Sequence, residues 1–394
     1  YLFAQETTGS YDWRDSSLIP SKRLGQHNEF LNNQYNFPAK PRSQWEVGLK
    51  VGTFNIIGDV PSQFPTPGFG VHVRKSLGYV FSLRAEYIYG MARGVSWKAR
   101  TAGLADHWIN AGYTGGANYV FDNYKSTVQD LSIQGVFTMN NLRFHKGKTG
   151  FVVYALAGIG GTVYDTKVNV ATDANAPHNF SSITNHNVYK DRRQTIKDVK
   201  NLLDGGSYNT EAENEGNARS KLFGKTLRFS RTVGAGVAIK LSDKLNLALE
   251  DRVTMIGDDL LDGVRWQNVT TSAGPGSGTT GRVLTPSYDI YNYLSLGLNI
   301  NIGSKTKSVQ PLWWLNPLDY AYSELNSPKH MKIPKPVLDD SDGDGVPDQF
   351  DMEPNTPAGA AVDTHGVSRD TDGDGVPDYK DKELITPTIC QPVD

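Results

Sequence analysis

What most constrains this chain is an alternation of period two that recurs in separate runs. Trp45, Val47, Leu49 and Val51 alternate with Glu46, Gly48, Lys50 and Gly52. Phe69, Val71 and Val73 alternate with Gly70, His72 and Arg74, and Tyr79 to Tyr89 repeats the pattern around Ser82, Arg84 and Glu86. Leu131, Ile133 and Phe137 flank Ser132, Gln134 and Thr138, and Phe151 to Tyr164 is glycine-rich and apolar. Phe229 to Lys240, Leu245 to Arg252 and Leu294 to Ile302 alternate again. A period of two sends one residue class to each face of a strand. The spacing predicts eight strands, near 45–56, 68–76, 78–90, 126–140, 150–165, 225–241, 243–256 and 287–303.

The connections carry a second signal. Those near 76–78, 140–150 and 241–244 are short, whereas 56–68, 90–126, 165–225 and 256–287 are long. Transmembrane barrels alternate short periplasmic turns with long external loops, and a soluble lipocalin-like barrel has no reason to. The expected fold is all-β: a periplasmic arm over 1–44 and an eight-stranded antiparallel transmembrane β-barrel over 45–303, then a Pro-rich linker over 304–338 and irregular Asp-rich repeats over 339–394. An even strand number puts both barrel ends on one side. Trp313-Trp314 either anchors at the membrane interface or packs under the barrel floor.

Composition agrees. No stretch reaches the roughly 18–20 apolar residues of a membrane-spanning helix. Gly (40) and aromatic residues (15 Phe, 7 Trp, 19 Tyr) suit strands, turns and interfacial girdles. A net charge of -2 gives no basic excess for nucleic acid. The single cysteine, Cys390, precludes an internal disulfide. Tyr1 to Gln5 reads either as the tail of a secretory signal cut after Ala4 or as an ordinary N-terminal segment.

The sharpest motif is a repeat. Asp340, Asp342, Asp344, Gly345, Val346, Pro347, Asp348 and Asp351 recur 30 residues later as Asp370, Asp372, Asp374, Gly375, Val376, Pro377, Asp378 and Asp381. Five crowded carboxylates repel one another unless a cation neutralises them, and oxygen-only ligands favour Ca²⁺ over Mg²⁺. Carboxylates stand at loop positions 1, 3, 5, 9 and 12, with Gly at 6 for the turn and the carbonyl of Val346 or Val376 at 7. Pro at position 8 and the absence of flanking amphipathic helices argue against EF-hands. The loops resemble thrombospondin type 3 repeats.

Eight strands, a Pro-rich linker and two such loops together resemble the outer membrane protein A (OmpA) family in its calcium-repeat form. Asn355 to Gly359 and Val362 to Gly366 resemble the family's spacer, and Lys382 to Asp394 its lead-in to a peptidoglycan-binding domain that this chain lacks. The resemblance implies a Gram-negative outer-membrane anchor with both termini in the periplasm. Its partners would be outer-membrane lipid, peptidoglycan through the absent domain, and other outer-membrane proteins reached by the long loops or residues 1–44.

Other sites are weak. There is no H-E-x-x-H or G-x-S-x-G, and Gly274 to Thr280 lacks the Lys of a phosphate-binding loop; a non-enzyme is expected. Glu46, Lys50, His72, Arg74, Arg84, Glu86, Glu250 and Arg252 fall on the inward lattice. Eight strands leave little room for water, so Arg74, Arg84 and Arg252 should meet Glu86 and Glu250, with Lys50 near one of them. Unpaired, the same charges would favour the alternative of a small porin. Asp251 and Arg231 fall on the outward lattice.

Overall fold

In the computed structural model, the described residues are 11–142, 150–212, 219–272, 278–284, 288–318, 320–321 and 338–385. The expectations for residues 1–5 and Cys390, for most of the Pro-rich linker, and for parts of 140–150, 274–280 and 382–394 lie outside them.

Eight long strands form a closed antiparallel ring: β1 (Trp45–Ile57), β2 (Pro67–Ser76), β3 (Phe81–Arg100), β4 (Val120–Thr138), β5 (Phe151–Val168), β6 (Lys225–Lys240), β7 (Leu245–Met255) and β8 (Ile290–Ile302). Each strand pairs with its neighbours in sequence, and β1 pairs with β8 from Trp45↔Ile302 to Ile57↔Ile290, which closes the ring. The pleat sorts the side chains as the alternation requires. Leu49, Val71, Leu83, Leu131, Ile159, Val237, Leu249 and Leu298 are exposed, while Lys50, Arg84, Glu86, Gln134 and Glu250 are buried. A barrel that is apolar outside and charged inside has exchanged the two faces of a water-soluble protein, and lipid is the solvent that fits its outer face.

Two strands outrun their predicted ends. β3 and β4 continue to Arg100 and back from Val120, with a bulge between Val95 and Ala99 that breaks the alternation there. Their far ends are held by packing: Val95, Val120, Phe121 and Tyr124 are buried against the long loops.

The 165–225 loop is more structured than its polar composition suggests. It carries helix α1 (Arg192–Leu203), whose Thr195, Val199 and Leu203 are buried at helical spacing, and Phe180 and Ile183 join the same core. With Trp108, Tyr113, Leu260, Leu261 and Val264 these residues cap the long-loop end of the barrel over Phe54, Ile88, Tyr291 and Tyr293.

The opposite end is closed by the chain on either side of the barrel. Ser43 bridges in parallel to Val309, and Gln44 N–H donates to the Val309 carbonyl at 2.9 Å. Leu18 of the N-terminal arm packs with Val309, Leu312 and Leu315. Trp313 and Trp314 join Val136, Val152, Tyr154 and Ala248 in a buried cluster. The paired tryptophans therefore lie under the barrel floor and are no interfacial anchors. Residues 338–385 belong to a second compact unit.

Candidate functional sites in the lumen and the aspartate loops

The middle of the lumen holds an ion network contributed by six strands. Glu250 on β7 accepts from Lys50 Nζ at 2.7 Å, from Arg84 at 2.6 and 2.8 Å, and from the Tyr154 hydroxyl at 2.8 Å. Glu86 on β3 accepts from Lys50 at 2.5 Å, Arg252 at 2.8 Å, Gln134 at 2.9 Å and Arg84 at 3.2 Å. Asp130 on β4 accepts from Arg252 at 2.6 Å and from the hydroxyls of Thr162 and Ser230, each at 2.8 Å. Lys50, Arg84 and Arg252 thus face Glu86, Glu250 and Asp130, three cations against three anions, all of them at most 4% exposed. Charges taken this far from water persist only when paired and fully hydrogen-bonded.

One expected pairing is corrected. Arg74 does not meet Glu86 or Glu250. It lies toward the floor, donates to Ser82 Oγ at 2.8 Å, stands 3.9 Å from Glu46 and stacks 3.7 Å over the Trp313 ring. The sequence could not place it, because Trp313 lies beyond the alternating region. Glu46 also accepts from Asn246 at 2.9 Å, with His72 at 3.7 Å. Asp130, Gln134 and Tyr154 were not among the charged or linking groups foreseen, although each sits at an inward position of its strand. On the outer face, Asp251 accepts from Asn292 Nδ2 at 2.5 Å, and Arg231 is exposed.

The aspartate loops have their own geometry. Carboxylate oxygens of Asp340, Asp342 and Asp344 lie within 4.8 Å of one another, as do those of Asp370, Asp372 and Asp374. Two glycines per loop take positive φ: Gly343 (76°) and Gly345 (95°), Gly373 (76°) and Gly375 (90°). Only glycine enters that region at low cost, so the turn asked of position 6 is present. Main-chain N–H groups orient the acids: Gly343 and Gly345 donate to Asp340 at 2.9 and 3.0 Å, and Val346 to Asp344 Oδ1 at 2.7 Å. The second loop repeats this with Gly373, Gly375 and Val376. The amides of Gly375 and Gly373 hold the Asp370 carboxyl below the usual carboxylate range. Asp344 Oδ2 and Asp374 Oδ2 are buried and have no hydrogen-bond partner. An orphaned carboxylate oxygen facing two other carboxylates fits a hard cation.

The remaining acids are placed differently. Asp348 takes both the N–H and the hydroxyl of Ser341, each at 2.7 Å, and Asp378 takes those of Thr371. They brace the loops from outside the three-carboxylate groups. Asp351 accepts from Glu353 N–H at 2.9 Å, yet a Cβ on Gly366 would collide with Asp351 Oδ1 and sit 3.1 Å from Asp344 Oδ2, so both face one small space. Asp381 accepts from Glu383 N–H at 2.7 Å.

No family model matches the sequence, and no curated protein matches it. Solved structures with some likeness include neisserial surface protein A, at 10% identity and a TM-score of 0.31, covering 67% of this chain and 100% of that one. Another is Ail, the attachment invasion locus protein of Yersinia pestis, at 9% identity and a TM-score of 0.30, covering 66% and 99%. At such values the likeness carries no argument about function, and the fold rests on the strand ring itself. The same group includes the outer-membrane enzyme PagL, at 11% identity and a TM-score of 0.22, covering 65% and 99%. The expectation of a non-enzyme is corrected accordingly: a barrel fold without a catalytic motif is no ground for it.

Proposed function

We propose that this chain is an outer-membrane anchor: a lipid-embedded, sealed barrel that carries a Ca²⁺-stiffened stalk. The observation that carries the first part is the filled lumen. Aromatic packing at the external end, a neutral ion network in the middle and Trp313-Trp314 at the floor leave the barrel without a use as an open pore, which supports an anchor over a small porin. The closing segments on both sides of the barrel meet at the end of the short turns, the end that faces the periplasm in barrels of this kind. A stalk leaving from there enters the periplasm. That order of parts supports kinship with the OmpA family and its thrombospondin type 3 repeats, with peptidoglycan the target of a further domain and other outer-membrane proteins as neighbours.

For the stalk, the orphaned Asp344 and Asp374 oxygens support one Ca²⁺ per loop, held by Asp340, Asp342 and Asp344 and by Asp370, Asp372 and Asp374. Asp351 stands near enough to the first group to contribute, and the carbonyls of Val346 and Val376 would complete the shells. So few apolar side chains are buried over 338–385 that the metal would supply much of the folding energy. Limited proteolysis of the full chain tests this. Chelation should open cleavage sites between 338 and 385 and leave the barrel uncut, and Asp342→Asn with Asp344→Asn should expose the first loop and spare much of the second. An identical cleavage pattern with and without Ca²⁺ would reduce the stalk to an acidic tether.

A further inference from the structure

The external ends of β1, β8 and β7 stand side by side, because Ile57 faces Ile290 and Ile290 faces Met255. The segments leaving them bring a second set of acids together: Asp258, Asp259 and Asp262 after β7, and Asp289 before β8, all buried. Asp258 is neutralised by Arg219 at 2.9 Å and Arg228 at 2.8 Å.

Asp262 and Asp289 have no such partner among the described residues. Main-chain N–H groups of Val60 and Val264 donate to Asp262 at 2.8 and 2.9 Å, and that of Asp262 donates to Asp289 Oδ2 at 3.2 Å. Asp289 is 1% exposed, and its Oδ1 has no hydrogen-bond partner; neither has the buried Asp259 Oδ2. Asp289 Oδ1 and Asp262 Oδ2 converge on one space, kept open by Gly58. A Cβ there would collide with the first oxygen and lie 2.6 Å from the second.

Two carboxylates buried this deeply and facing one space need a proton or a cation to settle their charge. Geometry decides between them. Donated amides favour the ionised carboxylates, and Asp289 Oδ1, buried and without a hydrogen-bond partner, is left to face Asp262 across the gap.

We propose that Asp262 and Asp289 form a site for a hard divalent cation at the external mouth of the barrel, with Gly58 as the gap that admits it. Such a cation would tie together the ends of three adjacent strands and the loops that leave them.

The test uses the full chain in detergent with Asp342→Asn, Asp344→Asn, Asp372→Asn and Asp374→Asn, so that the stalk loops are silenced and Ca²⁺ serves as the probe. A single Ca²⁺ should still bind, and the barrel should melt at a higher temperature with Ca²⁺ than with chelator. Asp289→Asn, and separately Gly58→Ala, should abolish both effects. If Asp289→Asn does not fold, Gly58→Ala and Asp262→Asn carry the comparison, each expected to abolish both effects. The proposal is overturned if the stalk-silenced chain is folded but binds no Ca²⁺, or if binding survives Asp289→Asn or Gly58→Ala unchanged. Loss of Ca²⁺ binding caused by the four stalk substitutions alone would sink this site and leave the stalk reading standing.

Discussion

Glu250 is the single side chain on which most of the lumen depends, since Lys50, Arg84 and Tyr154 all donate to it. Replacing it with Ala leaves buried cations short of an anion, and breaking such a pair from one side costs about 3–5 kcal/mol. Glu250→Ala should therefore unfold at markedly lower urea than the parent, whereas Asp251→Ala, one residue away on the outer face, should barely move the midpoint. His178 gives a pH-dependent counterpart outside the membrane. It is buried beside Asn169, whose Oδ1 lies 2.9 Å from His178 Nε2, and burial lowers its pKa. A histidine whose folded pKa lies below its unfolded value of about 6.5 stabilises the fold above that pH, and the contribution is lost as pH falls toward the folded pKa. Amide exchange in residues 170–183 should accelerate as pH drops from 7 to 5, after correction for intrinsic rates, and much less in His178→Gln. The inward charges were legible residue by residue, because strand parity alone assigns them. Their partners were not: Asp130 lay within reach of the same parity, but the pairing of Arg74 with Trp313 depends on a segment that has no alternation.

Among the elements, the strands were the most legible and the loops the least. A strand with one face in lipid and the other in a packed lumen must alternate, so its sequence shows it. The long loop between β5 and β6 is rich in Asn, Asp and Lys, which masks the Thr195, Val199 and Leu203 spacing of α1. Because Phe180, Ile183, Val199 and Leu203 belong to the cap over the lumen, removing residues 170–220 should lower the barrel's melting temperature measurably. A truncated barrel as heat-stable as the parent would show that the cap is dispensable. The floor makes the converse prediction. Trp313→Ala removes a ring that packs on Arg74 and Tyr154, and large-to-small changes at such sites cost about 3–5 kcal/mol. Unfolding in urea should register that loss, and a near-neutral result would mean that Trp313 does not hold the floor.

For the whole molecule, three stacked seals predict that planar bilayers containing the protein show no stable large conductance. Trp313→Ala should not create one, since the ion network above it stays closed. A persistent open level in the parent would overturn the sealed lumen and restore the porin reading. The clustering of the aspartates is legible at this scale too, because each group of acids is written in nearly consecutive residues. The acids of the external mouth were not, since Asp262 and Asp289 meet only after β7 and β8 have paired.

The floor has a consequence for how the molecule is made. Ring closure joins Trp45 to Ile302, the two ends of the barrel sequence, and the tryptophans follow that last strand. Nothing can latch the floor until the first and last strands have met. Part of the lumen network waits for the same event, because Lys50 and Arg84 reach Glu250, and Arg252 reaches Glu86, only across strands far apart in the chain. Leu312-Trp313-Trp314 therefore arrives last, as the stopper that locks a vessel already closed.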